Sequence, residues 1–292
     1  MSKLKQSLLI CPGVIKSGTT SLYKILSGLE QLSMARNKEL HFFSNAYETK
    51  SSKQSKLRAT VSLFPSNPSI ADYQREFLSF EESNILCDIS PSYIGYPGTY
   101  QRICELVEDP YFIVMQRNRI DRALSAWYHA SRAGLETASF SNAVYRDYEE
   151  RDPHELPLRK YFQLSDYDSH IENLVRIFGS DRVLVLKAEG LSDVQSVQNS
   201  IQGLLNRTLD FTSNTQKIAG ERANSAMFIG EEQRLVKYLF SQPKLISFLS
   251  GVVPKSMRLR DFLSKIVYRG SRTLVPDSEK EIVSELFARE FG

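Results

Sequence analysis

The stretch LLICPGVIKSGTTSLYKIL, from Leu8 to Leu26, constrains the fold more than any other part of the chain. It begins with a continuous apolar run, which is typical of a strand buried on both faces. Two glycines, Gly13 and Gly18, bound a short loop, and apolar side chains then recur at helical spacing over residues 19–29. The first N–H groups of a helix lack partners and carry partial positive charge. The strand, turn and helix therefore predict an anion site in an α/β fold.

The loop differs from the phosphate-binding loop of nucleotide hydrolases in the place of its lysine. That pattern is Gly, four residues, Gly, Lys and then Ser or Thr. Here Thr19 stands in the lysine position, and Lys16 lies inside the loop, where it can bring a positive charge to a bound oxyanion. We expect the N–H groups of Ser17, Gly18, Thr19 and Thr20 to bind the anion, with the hydroxyls of Thr19, Thr20 and Ser21 as further donors.

Strand and helix signals alternate from residue 8 to residue 205. The predicted strands are Leu8 to Cys11, Asn84 to Asp88, Tyr111 to Gln116 and Arg182 to Lys187. The predicted helices are Thr19 to Leu29, Ile120 to Ala133, Ser165 to Phe178 and Val194 to Leu205. Because apolar strands with helical connections form parallel sheets, the pattern predicts a three-layer α/β fold. Its central, mainly parallel sheet should be flanked by helices on both faces.

The length and charge of the chain limit the number of domains and the kinds of partner that it can have. The 292 residues, 41% of them hydrophobic, are enough for a full core in one large domain or at most two. We expect a single domain over residues 1–292, with a helical, basic part from 206 to 292. The formal net charge of +3 is close to balance and does not indicate a nucleic-acid partner.

The cysteines and the N-terminus bear on the compartment. Cys11, Cys87 and Cys104 form no CxxC pair, and two of them lie in apolar runs, which indicates buried, reduced thiols in a reducing compartment. No run reaches the ~18 apolar residues of a membrane span, so we expect no transmembrane segment. The first residues imitate a signal peptide, but Pro12 and Gly13 interrupt their apolar part, which we interpret as the first strand. We therefore expect a cytoplasmic protein.

Two segments resemble the nucleotide-binding motifs of sulfotransferases that use 3′-phosphoadenosine 5′-phosphosulfate (PAPS). GVIKSGTTSLYKIL resembles the family's 5′-phosphosulfate loop, whose lysine lies inside a Lys-[Ser/Thr]-Gly-Thr-[Thr/Ser] core, as Lys16 does here. VMQRNRIDRALSAWYHASRAG resembles the 3′-phosphate segment, an Arg at a strand end followed eight residues later by a helical Ser. Arg117 and Ser125 occupy those positions, and an arginine fork is well suited to a phosphate. Arg119 replaces the proline that is common in this segment.

Further stretches are similar to the branch of that family that sulfates glycans. NKELHFFSN, residues 37–45, resembles a Lys-Glu-x-x-Phe-Phe segment, and CDISPSYIGYPG, residues 87–98, resembles a Glu-Lys-[Ser/Thr]-Pro-x-Tyr segment. Asp88 and Ile89 stand where those enzymes carry Glu and Lys, which removes a positive charge that can contact acidic acceptors. The resemblance extends over residues 8–205 and implies a P-loop-like fold.

The resemblance also implies a reaction. A sulfuryl group would pass in line from PAPS to an acceptor hydroxyl, of a carbohydrate by the glycan-branch likeness, with PAP as product and no metal. Lys16 would stabilise charge on the leaving oxygen. Glu39 matches the catalytic glutamate of the glycan branch, and His41 is the alternative base, because imidazole titrates near neutrality and small-molecule sulfotransferases use histidine. In an extended segment residues 39 and 41 point to the same side, so their spacing leaves both open.

Other residues have weaker assignments. Lys38, Asp88 and Ser90 are candidate acceptor contacts, the last two because open α/β sheets bind ligands at the carboxyl ends of their strands. Lys217 and Arg222, in the polar stretch 206–228, are candidate nucleotide contacts. His129 and Trp127 are expected to pack or to lie on the helix surface. The basic segment 255–272 is expected to be a packed helix with a solvated basic face, or to contact an anionic surface.

Three alternatives stay open at this stage. A P-loop kinase with a displaced lysine would need Mg²⁺ and an acidic residue at a strand end. A sulfotransferase for small, non-carbohydrate molecules would share the nucleotide motifs. A non-catalytic nucleotide-binding protein would bind and not turn over.

Overall fold

The computed structural model describes residues 3–44, 68–77, 84–210 and 275–292. The candidate nucleotide contacts Lys217 and Arg222 and the basic segment 255–272 lie outside these residues. That residues 1–292 form one domain stays a prediction.

The described residues form one five-stranded, fully parallel sheet with the strand order β2-β3-β1-β4-β5. The strands are β1 Leu8–Gly13, β2 Leu32–Met34, β3 Ile85–Ile89, β4 Pro110–Gln116 and β5 Val183–Lys187. Four of the five were predicted within one or two residues at each end. The three-residue β2 is too short to produce a periodic signal, and the sequence analysis missed it.

Eight α-helices accompany the sheet in the described part of the chain. They are α1 Thr19–Leu26, α2 Ile70–Gln74, α3 Thr99–Leu106, α4 Arg119–Arg132, α5 Phe140–Glu150, α6 Tyr167–Phe178, α7 Val194–Leu205 and α8 Asp277–Phe291. Helices α1, α4, α6 and α7 were predicted, and α8 falls in the tail that was expected to be helical. Helices α2, α3 and α5 were not identified from the sequence.

Alternate residues of β1 enter two different cores. Leu8 and Ile10 pack with residues of α2, α3 and α6 on one face of the sheet. Leu9 and Cys11 pack with residues of α1 and α7 on the other face. Because the side chains of a strand alternate between faces, this division is the three-layer arrangement that the apolar runs predicted. Helix α8 joins a third cluster with α4 and α5.

The cysteines agree in part with the expectation of buried thiols. Cys11 and Cys87 are buried in the sheet, whereas Cys104 is exposed on α3, and all three are free. Burial raises the pKa of the Cys11 thiol to about 12, so it stays protonated and unreactive.

Gly13, the last residue of β1, has room only for a hydrogen. A Cβ atom at this position would lie 2.5 Å from Ile94 Cγ2. We expect Gly13→Ala to lower the free energy of unfolding by about 1–3 kcal/mol, because the strand or the Ile94 turn must move. Urea denaturation measures the change.

Gly203 provides the matched control. It lies inside α7, and a Cβ there would meet nothing within 4 Å. Gly203→Ala should raise the free energy of unfolding by about 0.4–1 kcal/mol, since alanine loses less backbone entropy in a helix. If the two variants had equal free energies of unfolding, the space for a Cβ atom at Gly13 would not be restricted.

Candidate active site

The loop between β1 and α1 presents the N-terminus of a helix. Gly18 is the N-cap of α1, with φ of 90°, and its lack of a side chain leaves the first-turn N–H groups without a cap. Thr19 is buried, whereas Thr20 and Ser21 are half-buried. These donors and the helix dipole make the loop suitable for an anion.

Ser17 is engaged by the protein itself. Its side chain is fully buried, with Oγ 3.3 Å from the Tyr167 hydroxyl, and its N–H donates to the Val14 carbonyl. These contacts leave the Ser17 N–H, which was predicted to bind the anion, already paired with the Val14 carbonyl. They favour a supporting role, in which Ser17 holds the loop against α6.

Lys16 stands at the centre of the loop in a left-handed conformation, with φ of 70°. A non-glycine residue rarely adopts this conformation, and such residues concentrate at functional sites. Its Nζ lies 3.3 Å from Nδ1 of His129 on α4. Its carbonyl accepts a hydrogen bond from Nη1 of Arg117, 101 residues away, at 3.5 Å. The fold therefore brings the two predicted nucleotide motifs together at Lys16.

Positive charge is concentrated around Lys16. Burial lowers the pKa of the Lys16 ammonium, and the charges of Arg132, Arg117 and Lys38 lower it further, while Glu39 opposes them. Four cations held this close together are suited to an anion with several negative charges.

His129 and Arg132 are site residues that the sequence analysis missed. Burial lowers the pKa of His129, and the charges of Lys16 and Arg132 lower it further. The neutral imidazole can accept a hydrogen bond from the Lys16 ammonium. Ser125, His129 and Arg132 are spaced by four and three residues, which places them on one face of α4, and that spacing was the available signal.

Arg117 follows β4 directly and remains accessible. Its side chain is 36% exposed, and Nη2 lies 3.9 Å from the Asp121 carboxylate. Its backbone N–H donates to the Tyr167 hydroxyl at 3.3 Å, which anchors the strand end to α6. Ser125 lies two turns into α4 and is half-buried.

Arg119, the residue in place of the family's proline, makes structural contacts. Its Nε donates to the Ser165 carbonyl at 3.0 Å, and its Nη2 pairs with Asp168 at 2.7 Å. The guanidinium also lies 4.6 Å from the centre of the Phe291 ring. Arg119 thus links α4 to α6 and α8.

The segment with Glu39 and His41 is not extended. Both residues have positive φ, 69° and 58°. Their side chains nevertheless meet, with His41 Nε2 3.9 Å from Glu39 Oε2, while Lys38 Nζ pairs with Glu39 Oε1 at 2.9 Å. The Glu39 side chain is 38% exposed and that of His41 only 14%, and His41 Nδ1 lies 2.9 Å from Ser92 Oγ. Glu39 is therefore the outer group, and His41 lies behind it.

Asp88 and Ser90 are placed at a strand end, as predicted, but both side chains are fully buried. The Asp88 carboxylate accepts hydrogen bonds from the hydroxyls of Ser90, Tyr73 and Tyr93. Because they are buried in this way, direct contact with an acceptor is not supported. Sequence position at a strand end does not reveal which way a side chain faces.

The described ranges show neither a cluster of metal ligands nor a membrane-spanning helix. Within them, no group of three or more His, Cys, Asp and Glu side chains is arranged to hold a metal ion. None of the helices in these ranges is both long enough and apolar enough to cross a bilayer.

No protein-family model and no curated protein matches this chain. Among solved structures, a sulfotransferase from Alicyclobacillus acidocaldarius is 23% identical and matches with a TM-score of 0.58 over 82% of this chain and 94% of that one. The sulfotransferase domain of the Synechococcus PCC 7002 olefin synthase is 16% identical, with a TM-score of 0.47 over 100% and 97%. A mouse sulfotransferase complexed with PAP is 16% identical, with a TM-score of 0.39 over 97% and 90%. The first likeness shows that this chain has a sulfotransferase-family fold and confirms the predicted fold class.

Proposed function

We propose that this protein is a sulfotransferase that moves the sulfuryl group of PAPS to an acceptor hydroxyl. The observation that carries the proposal is the hydrogen bond from Arg117 to the Lys16 carbonyl. It joins the loop that resembles a phosphosulfate site to the strand end that resembles a 3′-phosphate site. Two anion-binding elements side by side fit a nucleotide with phosphates at both its 3′ and 5′ positions.

The residues at the site fit the charges of PAPS. The uncapped N-terminus of α1 and the hydroxyls of Thr20 and Ser21 would hold the 5′-phosphosulfate. Arg117, assisted by Ser125, would hold the 3′-phosphate through a charge-assisted fork. Lys217 and Arg222 remain predicted contacts outside the described residues. PAPS supplies an activated sulfuryl group, and no metal is assigned a role.

Lys16 and Glu39 would divide the chemistry between them. The acceptor oxygen forms a bond to sulfur as the bond from sulfur to the PAP oxygen breaks. To donate a hydrogen bond to that leaving oxygen, Lys16 gives up its contact with the neutral imidazole of His129. The Glu39 carboxylate takes the proton of the acceptor hydroxyl, a role worth roughly 10²–10⁴-fold for a positioned base. His41, between Glu39 and Ser92, would orient that carboxylate.

We propose further that the acceptor hydroxyl belongs to a carbohydrate. Its support is the likeness of residues 37–45 to the glycan branch, together with the exposed Glu39 that this segment presents. Lys38 pairs with Glu39 and is the remaining candidate for an acceptor contact. Transfer of ³⁵S label from PAPS to a panel of sugars, aliphatic alcohols and phenols would test it. Label on phenols alone would favour the small-molecule alternative.

The kinase alternative is disfavoured by the state of Asp88. A kinase of this fold needs an accessible acidic residue at a strand end near its bound Mg²⁺. Asp88 stands at such an end, yet it is fully buried and accepts three hydroxyl hydrogen bonds. Thr19 also occupies the position of the kinase lysine.

Replacing Arg117 with alanine should weaken PAP binding about 10- to 100-fold. A hydrogen bond to a charged group contributes roughly 1.5–3 kcal/mol, and each 1.4 kcal/mol corresponds to about tenfold in affinity. Calorimetry without metal would measure PAP and ATP on both proteins, and wild type should bind PAP more tightly than ATP.

Arg119→Ala is the matched control. It removes the same charge two residues away, where the arginine pairs with Asp168. PAP affinity should stay within about twofold of wild type. If both variants bound PAP alike, or if ATP bound better and only with Mg²⁺, the proposed function would be rejected. PAP binding without any label transfer would leave the non-catalytic alternative.

A further inference from the structure

A buried hydrogen-bonded cluster lies beneath the segment that carries Glu39 and His41. Its centre is Asp88, at the end of β3, which has no exposed surface. Asp88 Oδ1 accepts from Ser90 Oγ at 2.6 Å, and Oδ2 accepts from the hydroxyls of Tyr73 at 3.0 Å and Tyr93 at 2.9 Å. Both carboxylate oxygens are therefore satisfied inside the protein. The donors come from α2 and from the turn that follows β3.

Two of these hydroxyls also hold the backbone of residues 39–43, called the base segment below. Ser90 Oγ accepts from the His41 N–H at 3.4 Å, and the Tyr93 hydroxyl accepts from the Phe43 N–H at 3.3 Å. A hydroxyl has a single proton. Because that proton is directed to Asp88, the oxygen lone pairs are left to face the two N–H groups. The carboxylate thus sets the direction of both hydroxyls.

The segment needs such support because its backbone is unusual. Glu39 and His41 both have positive φ, which non-glycine residues adopt rarely. Conformations of this kind persist only where the surrounding structure holds them. A further bond, from the Glu39 N–H to the Ile89 carbonyl at 2.9 Å, joins the same segment to the end of β3.

We propose that Asp88 is a positioning residue for the base: through Ser90 and Tyr93 it holds residues 39–43 in the conformation that presents the Glu39 carboxylate. This inference rests on the proposed function for its catalytic part. It assigns Asp88 and Ser90 a place behind the site rather than in contact with an acceptor.

Tyr73 and Tyr93 form a matched pair for the test. Each donates to the same oxygen of Asp88 from a fully buried ring, so Tyr73→Phe and Tyr93→Phe each remove one donor and keep the packing. Only the Tyr93 hydroxyl also bonds to the Phe43 N–H. Tyr93→Phe should lose the more thermal stability, because it also leaves the Phe43 N–H without that partner, and only Tyr93→Phe should loosen residues 39–43.

The first measurement is amide hydrogen exchange over residues 38–44, which needs no substrate. We expect the Phe43 amide to exchange about tenfold faster in Tyr93→Phe than in Tyr73→Phe, since loss of one buried hydrogen bond corresponds to about tenfold in an opening equilibrium. The exchange of β1 amides serves as the internal reference. Equal exchange at Phe43 in the two variants would overturn the proposal.

The second measurement is turnover of ³⁵S-labelled PAPS, with water or a hydroxyl from the panel above as acceptor. It is made at pH 8, because burial raises the pKa of Asp88 to about 6 and the carboxylate is then ionised. We expect Tyr93→Phe to lower kcat about tenfold, with KM for PAPS within about twofold, because part of the effect of a positioned base is lost. Tyr73→Phe should keep kcat within about twofold of wild type.

The outcomes separate this inference from the proposed function. If wild type turns over PAPS and both tyrosine variants have the same kcat, the positioning role is overturned even where exchange differs. If wild type neither binds PAP nor turns over PAPS, the proposed function fails, and the catalytic part of this inference is overturned with it. Faster exchange in Tyr93→Phe would then show only that Tyr93 holds the segment.

Discussion

Replacing Lys16 with alanine should lower the turnover of PAPS by about 10²–10³-fold. Removing one well-placed donor from a site where charge develops has an effect of this size. Lys16 is positioned for that role, because it lies in the loop at the start of α1 and next to Arg117. Labelled PAPS at saturating concentration measures kcat, and calorimetry measures PAP affinity. We expect kcat to fall much more than affinity, since other donors also hold the nucleotide.

The same variant should not be less stable than wild type. The pKa of Lys16 is lowered by burial and by the neighbouring cations, so the folded state disfavours its charged form at neutral pH. Alanine removes that unfavourable charge, and the free energy of unfolding at pH 7 should be equal or higher. As pH rises toward the ordinary pKa of lysine, the free energy of unfolding of wild type should rise to that of Lys16→Ala. A large loss of stability in Lys16→Ala would contradict this account.

Lys24→Ala is the control for charge and helix content. Lys24 lies in the last turn of α1, at the far end of the same helix. Its replacement should leave kcat within about twofold of wild type, because surface changes away from a site have small effects. If the two lysine variants lost activity equally, Lys16 would have no special part in the transfer.

Replacing Glu39 with glutamine should lower kcat by about 10²–10⁴-fold, the usual range for loss of a general base. Glutamine keeps the shape of the side chain and cannot take a proton, so PAP affinity should stay within about twofold. We assign the role of base to Glu39 because its side chain is 38% exposed, whereas that of His41 is 14% exposed. An acceptor can reach the outer group directly.

His41→Ala tests the rival assignment. We expect it to lower kcat about tenfold, because His41 lies between Ser92 and Glu39 and would only orient the carboxylate. A larger loss in His41→Ala than in Glu39→Gln would reverse the assignment and make the imidazole the base. The pH dependence of kcat in each variant, measured with labelled PAPS, gives a second criterion.

The central strands could be predicted because their signal is local. Leu8–Gly13 and Pro110–Gln116 are continuous apolar runs, and such runs are buried whichever elements cover them. The loop and Arg117 were identified from short motifs whose spacing is also local. Residues 32–34 and the helices α2, α3 and α5 were missed, because short or mixed segments acquire their structure from packing.

The base segment shows where local reasoning failed. The placement of residues 39 and 41 on the same side was argued only for an extended backbone, and the structure has two left-handed residues there instead. The two side chains still lie 3.9 Å apart, but sequence spacing does not explain this contact. Hydrogen bonds from its N–H groups to Ser90, Tyr93 and the end of β3 hold the backbone in place.

The sequence by itself determined the α/β class, the parallel sheet, the loop with Lys16 and the arginine at the end of β4. Each of these depends on residues that are neighbours along the chain. Tertiary structure decided that His129 meets Lys16, 113 residues away, and that Asp88 faces inward to two tyrosines. Hydropathy and motif spacing report which residues are buried or paired within one element. They do not report which side chains of distant elements come within hydrogen-bond distance, because that depends on how the elements pack.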